Sequence, residues 1–377
     1  MKKITLFALC ALLLAACTGN SYQAFEEDLN AFREEVGNVG LGVAVVKDNK
    51  IIYDNYFGVK NLETGEKIDA QSIFRIASIS KSFTATAFMQ LVEEGKVTLE
   101  SDVSDLMGFT VRNPKYPETV ITLEMLLSHT SSLNDTQGYF TLDVINPATN
   151  PNSAACYNDY EPGKGYQYCN LNFNMAGTIL EKLSGERFDH YIVNHILNPL
   201  GLYGGYNIDA LDSTRFAILY SYNPENDSLE AQPGAYRSRA EDIANYVTGY
   251  STPIFSPTGG MKISTTDLAK YMMVHMNYGI YPGTQERIIS EESSKNMQTP
   301  RSEDEHYGLA LWRTTEYIPE IELVGHTGSA YGLRSAMFFH PEEKYGFVVI
   351  SSGAKASDTE LLKGIIKLMY DHFIANE

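Results

Sequence analysis

The sequence Ser78-Ile79-Ser80-Lys81 places a hydroxyl and an amine three residues apart, on one face of any helix that contains them. A serine hydroxyl is a weak nucleophile by itself. An adjacent amine, held neutral or used as a proton relay, activates it, and a helix N-terminus presents backbone N–H groups to a developing oxyanion. Two further clusters supply what such a site lacks. Tyr168-Cys169-Asn170 offers a phenol and an amide spaced to face one cleft. His326-Thr327-Gly328-Ser329 follows the β-rich Leu323-Val324, and its glycine lets a substrate backbone approach a strand closely. Each cluster is common alone; together they describe nucleophilic acyl transfer. The chain has no Gly-x-Ser-x-Gly elbow, the serine-hydrolase signature of another fold.

The elements that must position these groups are readable from periodicity. Phe25, Leu29 and Phe32 recur at helical spacing and lead into β-rich runs over Gly40–Val46 and Ile51–Phe57, joined by a polar turn. Gly40 and Gly42 lie inside the first run and lack the third glycine of a dinucleotide fingerprint. After Ile73-Phe74-Arg75 the period changes. Phe83, Ala87, Leu91 and Val92 predict a buried helix that carries Ser78 at its start and stops at Gly95.

Residues 100–300 alternate Asn-, Tyr-, Pro- and Gly-rich loops with helical patterns at Leu123–Leu127, Asn174–Leu183 and Leu268–Met276. Strand patterns return at Tyr307–Trp312, Gly332–Phe339 and Tyr345–Ser351, before an amphipathic helix over Thr359–Phe373. Sheet at both chain ends and helices between predict a two-lobed α/β (α+β) fold. Its antiparallel sheet is flanked by helices and built from both ends, with an inserted, mainly helical lobe. The expected boundaries are about 38–80 and 305–373 for the sheet lobe and about 81–304 for the helical one.

The order and separation of the three clusters resemble the serine β-lactamase and penicillin-binding protein superfamily. The likeness is closest to its class C β-lactamase, D-alanyl-D-alanine carboxypeptidase and esterase-like branch. It extends to Ile73-Phe74-Arg75-Ile76-Ala77-Ser78, Leu126-Leu127-Ser128-His129-Thr130-Ser131-Ser132-Leu133, Pro162-Gly163, Gly259-Gly260 ahead of Ser264-Thr265, and Tyr307-Gly308-Leu309.

The resemblance implies that Ser78 attacks a carbonyl, Lys81 and Tyr168 exchange the proton, Asn170 orients Lys81 and the substrate amide, and water resolves an acyl-enzyme. Backbone N–H groups of Ser78 and Ser329 would form the oxyanion hole, with His326, Thr327 and Gly328 beside the substrate. Tyr168 would need a lowered pKa from neighbouring cations to act as a base. The implied substrates are D-alanyl peptides, β-lactams or small esters, with no cofactor and no metal. His326 stands where many β-lactamases carry Lys, so a partial charge that titrates near neutrality is expected there. That ranks a D-alanyl peptidase or promiscuous hydrolase above a dedicated β-lactamase. Ser132 replaces the usual Gly, and no glutamate base for deacylation is identifiable. The alternative is a penicillin-binding sensor, or a non-catalytic binding lipoprotein, on the same fold.

Lys2-Lys3, the apolar run Ile4–Leu14 and the ending Leu14-Ala15-Ala16-Cys17 describe a signal peptide over 1–16, too short an apolar run to span a bilayer. Its ending resembles a lipoprotein lipobox, which implies lipidation at Cys17, a tether over 17–37 and an exported protein on the membrane by its lipid anchor only. Cys10 would leave with the signal, so Cys156 and Cys169 remain as a candidate disulfide in an oxidising compartment. The net charge of -18, from 47 acidic and 29 basic residues, excludes nucleic acid as a partner. Within that acidic chain, Lys81 and His326 are the expected positive groups for a substrate carboxylate. The oligomeric state is not legible.

Overall fold

The computed structural model describes residues 22–302 and 305–375. The expected signal peptide over 1–16 and the expected lipidation site Cys17 lie outside them. The elements that matter to the site are α1 (22–35), β1 (Gly40–Lys47), β2 (Lys50–Gly58), β3 (Phe74–Arg75), α2 (Ser80–Glu93), α3 (Asn170–Ser184), β4 (Gly204–Gly205), β5 (Lys262–Ile263), α4 (Thr265–Met276), β6 (Trp312–Thr314), β7 (Leu323–Ala330), β8 (Leu333–His340), β9 (Tyr345–Ser352) and α5 (Asp358–Phe373). One six-stranded antiparallel sheet has the order β6-β7-β8-β9-β1-β2. The two chain ends meet in its middle, where β1 pairs with β9 from Gly40↔Ser352 to Lys47↔Tyr345.

Alternation along β1 sorts its side chains onto two faces, as a period of two requires. Leu41, Val43 and Val45 join Phe25 and Leu29 of α1 and Ile365, Ile366 and Met369 of α5 in one core. Ala44 and Val46 belong to the other, larger core with Phe83 of α2, Phe173 of α3 and Tyr271 of α4. Gly42 is on that second face because α4 is seated there: a Cβ at Gly42 would lie 2.2 Å from Thr265 Oγ1. Close packing, and not ligand binding, therefore explains this glycine. The sheet from both ends and the intervening helices match the expected fold class. One strand does not: Tyr307–Trp312 is only an isolated bridge between its end residues, and the regular strand runs from Trp312 to Thr314.

A second, three-stranded sheet, β3-β5-β4, is built from two-residue strands. It has Phe74 opposite Ile263 and Arg75 opposite Lys262, and so anchors the chain just ahead of Ser78.

Candidate active site

Ser78 sits in a 3-10 turn, Ala77–Ile79, that runs directly into α2. Ala77 has φ 48°, in the left-handed region that costs a non-glycine residue about 1 kcal/mol or more. Contacts on both sides hold this turn. Ile76 N donates to Met261 O at 2.9 Å, and Ser335 Oγ of β8 donates to Ile76 O at 2.9 Å. Ser78 remains partly accessible, while Ala77 and Ile79 are buried.

Lys81 is fully buried one helical turn later, and its Nζ lies 3.2 Å from Ser78 Oγ, 2.9 Å from Asn170 Oδ1 and 2.8 Å from Thr258 O. The same nitrogen is 4.8 Å from the centre of the Tyr168 ring. Burial lowers the amine to about 7, opposed by the charge of Asp135. At neutral pH a large fraction of Lys81 is thus a neutral amine beside the serine hydroxyl. Ser78, Lys81, Tyr168 and Asn170, read from two separate motifs, are brought together.

Two electrostatic expectations are corrected. Tyr168 was expected to have a lowered pKa; its hydroxyl is enclosed, and burial pushes the phenol up, against the smaller opposing effect of the neighbouring Ser78 hydroxyl. The phenol therefore keeps its proton at neutral pH. His326 was expected to titrate near neutrality, yet it is 5% exposed, and burial with the nearby Lys81 brings it down to about 4. Its Nε2 accepts from Tyr307 Oη at 2.8 Å and its Nδ1 faces Thr327 O at 2.5 Å, an arrangement that suits the neutral ring. No charge is available there for a substrate carboxylate.

The candidate disulfide is also corrected. Cys156 and Cys169 are both free and buried. Cys156 Sγ donates to Val144 O at 3.4 Å and Cys169 Sγ to Asp135 Oδ1 at 3.3 Å. Burial pushes the first thiol up to about 11 and the second well above its ordinary value, so neither is a reactive thiolate.

Thr327, Gly328 and Ser329 lie on β7, with Thr327 half-buried and Ser329 exposed. A Cβ at Gly328 would fall 2.2 Å from Ile76 O and 3.1 Å from Ala77 Cβ. The strand thus rests directly on the turn that holds Ser78.

Three residues of the site had no assigned role in the sequence. Asp135, from a loop, accepts from Asn170 N and Asn170 Nδ2 at 2.9 Å each and from Leu171 N at 3.0 Å. It supplies the side-chain cap that Cys169, the residue at the helix boundary, does not provide. His129 is fully buried, stacks 4.3 Å from Tyr168, and accepts at Nδ1 from Cys169 N at 3.1 Å. Its backbone oxygen accepts from Gln167 N, which fixes the approach to Tyr168. The third is Tyr307, the partner of His326. Ser132, where glycine is usual in the resembled family, has φ 64°; its Oγ accepts from Asn113 Nδ2 at 3.0 Å, which offsets part of the left-handed cost.

Asp135→Ala is expected to lose about 1–2 kcal/mol of stability in urea denaturation, because the first N–H groups of α3 lose their acceptor. It also removes the larger of the two influences, Asp135 ahead of Cys169, that hold Lys81 up. The pH at which Lys81 loses its proton is therefore expected to move below about 7, read as an acid limb displaced to lower pH in an activity profile.

A serine beside a buried amine, next to an antiparallel sheet built from both chain ends, is an arrangement on the beta-lactamase and penicillin-binding protein fold. The beta-lactamase family profile matches residues 25–368, and the chain belongs to that family, whose members are generally serine hydrolases. It is similar to Protein flp of Staphylococcus aureus strain MRSA252, with 24% identity over 327 residues, 83% of this chain and 59% of that protein. The chain thus spans less than two thirds of that relative's length. It is 28% identical to Penicillin-binding protein 4 of Amycolatopsis lactamdurans over 281 residues, 73% of this chain and 68% of that one. Among solved structures, the octameric penicillin-binding protein homologue from Pyrococcus abyssi superposes with a TM-score of 0.73 at 25% identity, over 93% of this chain and 77% of that one.

Proposed function

We propose that this chain is an exported, lipid-anchored serine hydrolase that forms an acyl-enzyme on Ser78. Its substrates are small esters ahead of D-alanyl peptides and β-lactams. The observation that carries the reading is the 3.2 Å approach of Lys81 Nζ, an amine lowered to about 7, to Ser78 Oγ. In the proposed sequence neutral Lys81 takes the Ser78 proton as Oγ attacks the carbonyl carbon. The N–H groups of Ser78 and Ser329 receive the oxyanion. Tyr168 O–H protonates the leaving group and recovers a proton from the Lys81 ammonium, while Asn170 Oδ1 keeps Nζ in place. Water then attacks the ester with the neutral amine as base, and the acid leaves as Ser78 regains its proton.

The ranking of substrates rests on His326. With a neutral imidazole engaged by Tyr307, β7 offers hydrogen bonds and no cation to a carboxylate, whether that of a β-lactam or the terminal one of a D-alanyl peptide, and this favours uncharged esters. The alternative of a sensor that acylates and does not turn over uses the same first step and differs only in the lifetime of the adduct.

Intact-mass analysis with a fluorophosphonate and a fluorescent penicillin tests the reading. A single fluorophosphonate adduct at Ser78, absent in Ser78→Ala, is the expected result. A transient penicilloyl adduct indicates a hydrolase and a persistent one a sensor; no adduct with either probe sinks the acyl-enzyme mechanism. The anchor has its own test. Cells fed a radiolabelled fatty acid should label the wild-type chain, and Cys17→Ala should remain unlabelled; equal labelling of both would remove Cys17 as the site.

A further inference from the structure

The formal charge of the chain is -18, yet one small cavity is lined by Arg75, Lys262, Arg237 and Arg239. Its lining includes Ser256, Gly260 and Lys262 and does not include Ser78 or Lys81. Arg75 and Lys262 stand directly across the β3–β5 pair, a register in which like charges repel. Lys262 is 5% exposed and its Nζ donates to Tyr206 O at 2.7 Å. Arg75 donates from Nε to Gly259 O at 2.7 Å and lies under the Tyr331 ring, 4.9 Å from its centre.

Neither cation has a carboxylate within ion-pair distance among the described residues; the nearby Asp242 is shared by Arg237 at 3.5 Å and Arg239 at 3.1 Å. Asp209 acts on Lys262 only through space and is itself bonded by Ser238 Oγ at 2.8 Å. Four cations thus face two carboxylates. Burial and the charges of Arg75 and Arg239 push Lys262 well below its ordinary pKa. A buried cation without a counter-charge is costly, and a bound anion removes that cost. The space open to a water-sized particle is about 20 Å³, the scale of one small ion.

We infer that the cavity between Arg75, Lys262, Arg237 and Arg239 binds one small inorganic anion of chloride size. The anion completes the charge of the β3–β5 pair and ties the segment carrying Gly259 to the strand that leads into Ser78. The site is independent of the acyl-enzyme mechanism, because its residues do not touch the Ser78–Lys81 pair.

The test compares the full chain in chloride and in gluconate, an anion too large for the cavity, at equal ionic strength. Chloride is expected to raise the wild-type Tm by about 2 °C, saturating with concentration. Arg239→Gln, at the half-buried rim, is expected to raise the half-saturating chloride concentration about tenfold, the loss of about 1.4 kcal/mol. Lys262→Met removes the uncompensated charge and is expected to abolish the response while melting no lower than wild type in gluconate. Crystals soaked in bromide should show an anomalous peak between the four side chains. Equal wild-type Tm in both salts, an unchanged chloride response in Arg239→Gln, or bromide peaks only at the outer surface would each overturn the inference.

Discussion

In Ser78→Ala, kcat/KM for an activated ester is expected to fall by about 10⁵-fold, and in Lys81→Met by about 10⁴-fold, while the double variant loses little more than Ser78→Ala alone. The reason is geometric. Lys81 Nζ has three polar neighbours, one of which is Ser78 Oγ, so the amine acts on the reaction through that serine, and once the serine is gone it has nothing to activate. A roughly multiplicative loss in the double variant would show that Lys81 contributes by some other route.

The pH profile gives the same assignment independently. With the unprotonated amine as the proposed base, kcat/KM should fall as pH drops through about 7 and level off above it. His326 is already neutral throughout that range, since it gains its proton only near 4. A single acid limb belonging to Lys81 is therefore expected between pH 5 and 9, and the residual activity of Lys81→Met should lack it. If the limb persists in that variant, the titrating base is another group.

Motif spacing made Ser78, Lys81, Tyr168 and Asn170 legible because each pair is local: Lys81 follows Ser78 by three positions and Asn170 follows Tyr168 by two. The strands at both chain ends were legible for a similar reason, since β1 alternates cleanly between its two cores. What failed depended on burial, which no spacing encodes. The phenol of Tyr168 and the imidazole of His326 were assigned charges suited to an open cleft, and enclosure reverses the direction for one and removes the charge from the other. Asp135 was missed because it caps a helix that begins 35 residues later, from a loop with no pattern of its own. The pairing of Arg75 with Lys262 was equally invisible, because two-residue strands are too short to show a period. Cys156 and Cys169 looked like a pair by count, but each thiol finds an oxygen acceptor in its own surroundings.

Gly328→Val is expected to lower kcat by about 10² to 10³-fold, the cost typical of losing one oxyanion donor. Any Cβ at this position meets Ile76 O at 2.2 Å and Ser335 Oγ at 2.6 Å. Ile76 O cannot yield easily, because Ser335 Oγ already bonds it and Ile76 N is fixed to Met261 O. The strand must therefore move away from the turn, carrying with it Ser329 N, the proposed second oxyanion donor, and the overpacking should cost about a further 1–3 kcal/mol in stability. Ser329→Ala is the informative control. It keeps the backbone N–H and loses only an exposed hydroxyl, so its kcat should stay within about threefold of wild type, a barrier change under about 1 kcal/mol. A folded Gly328→Val protein with unchanged kcat, or a Ser329→Ala protein as slow as Gly328→Val, would show that the oxyanion is held by something other than the backbone of β7.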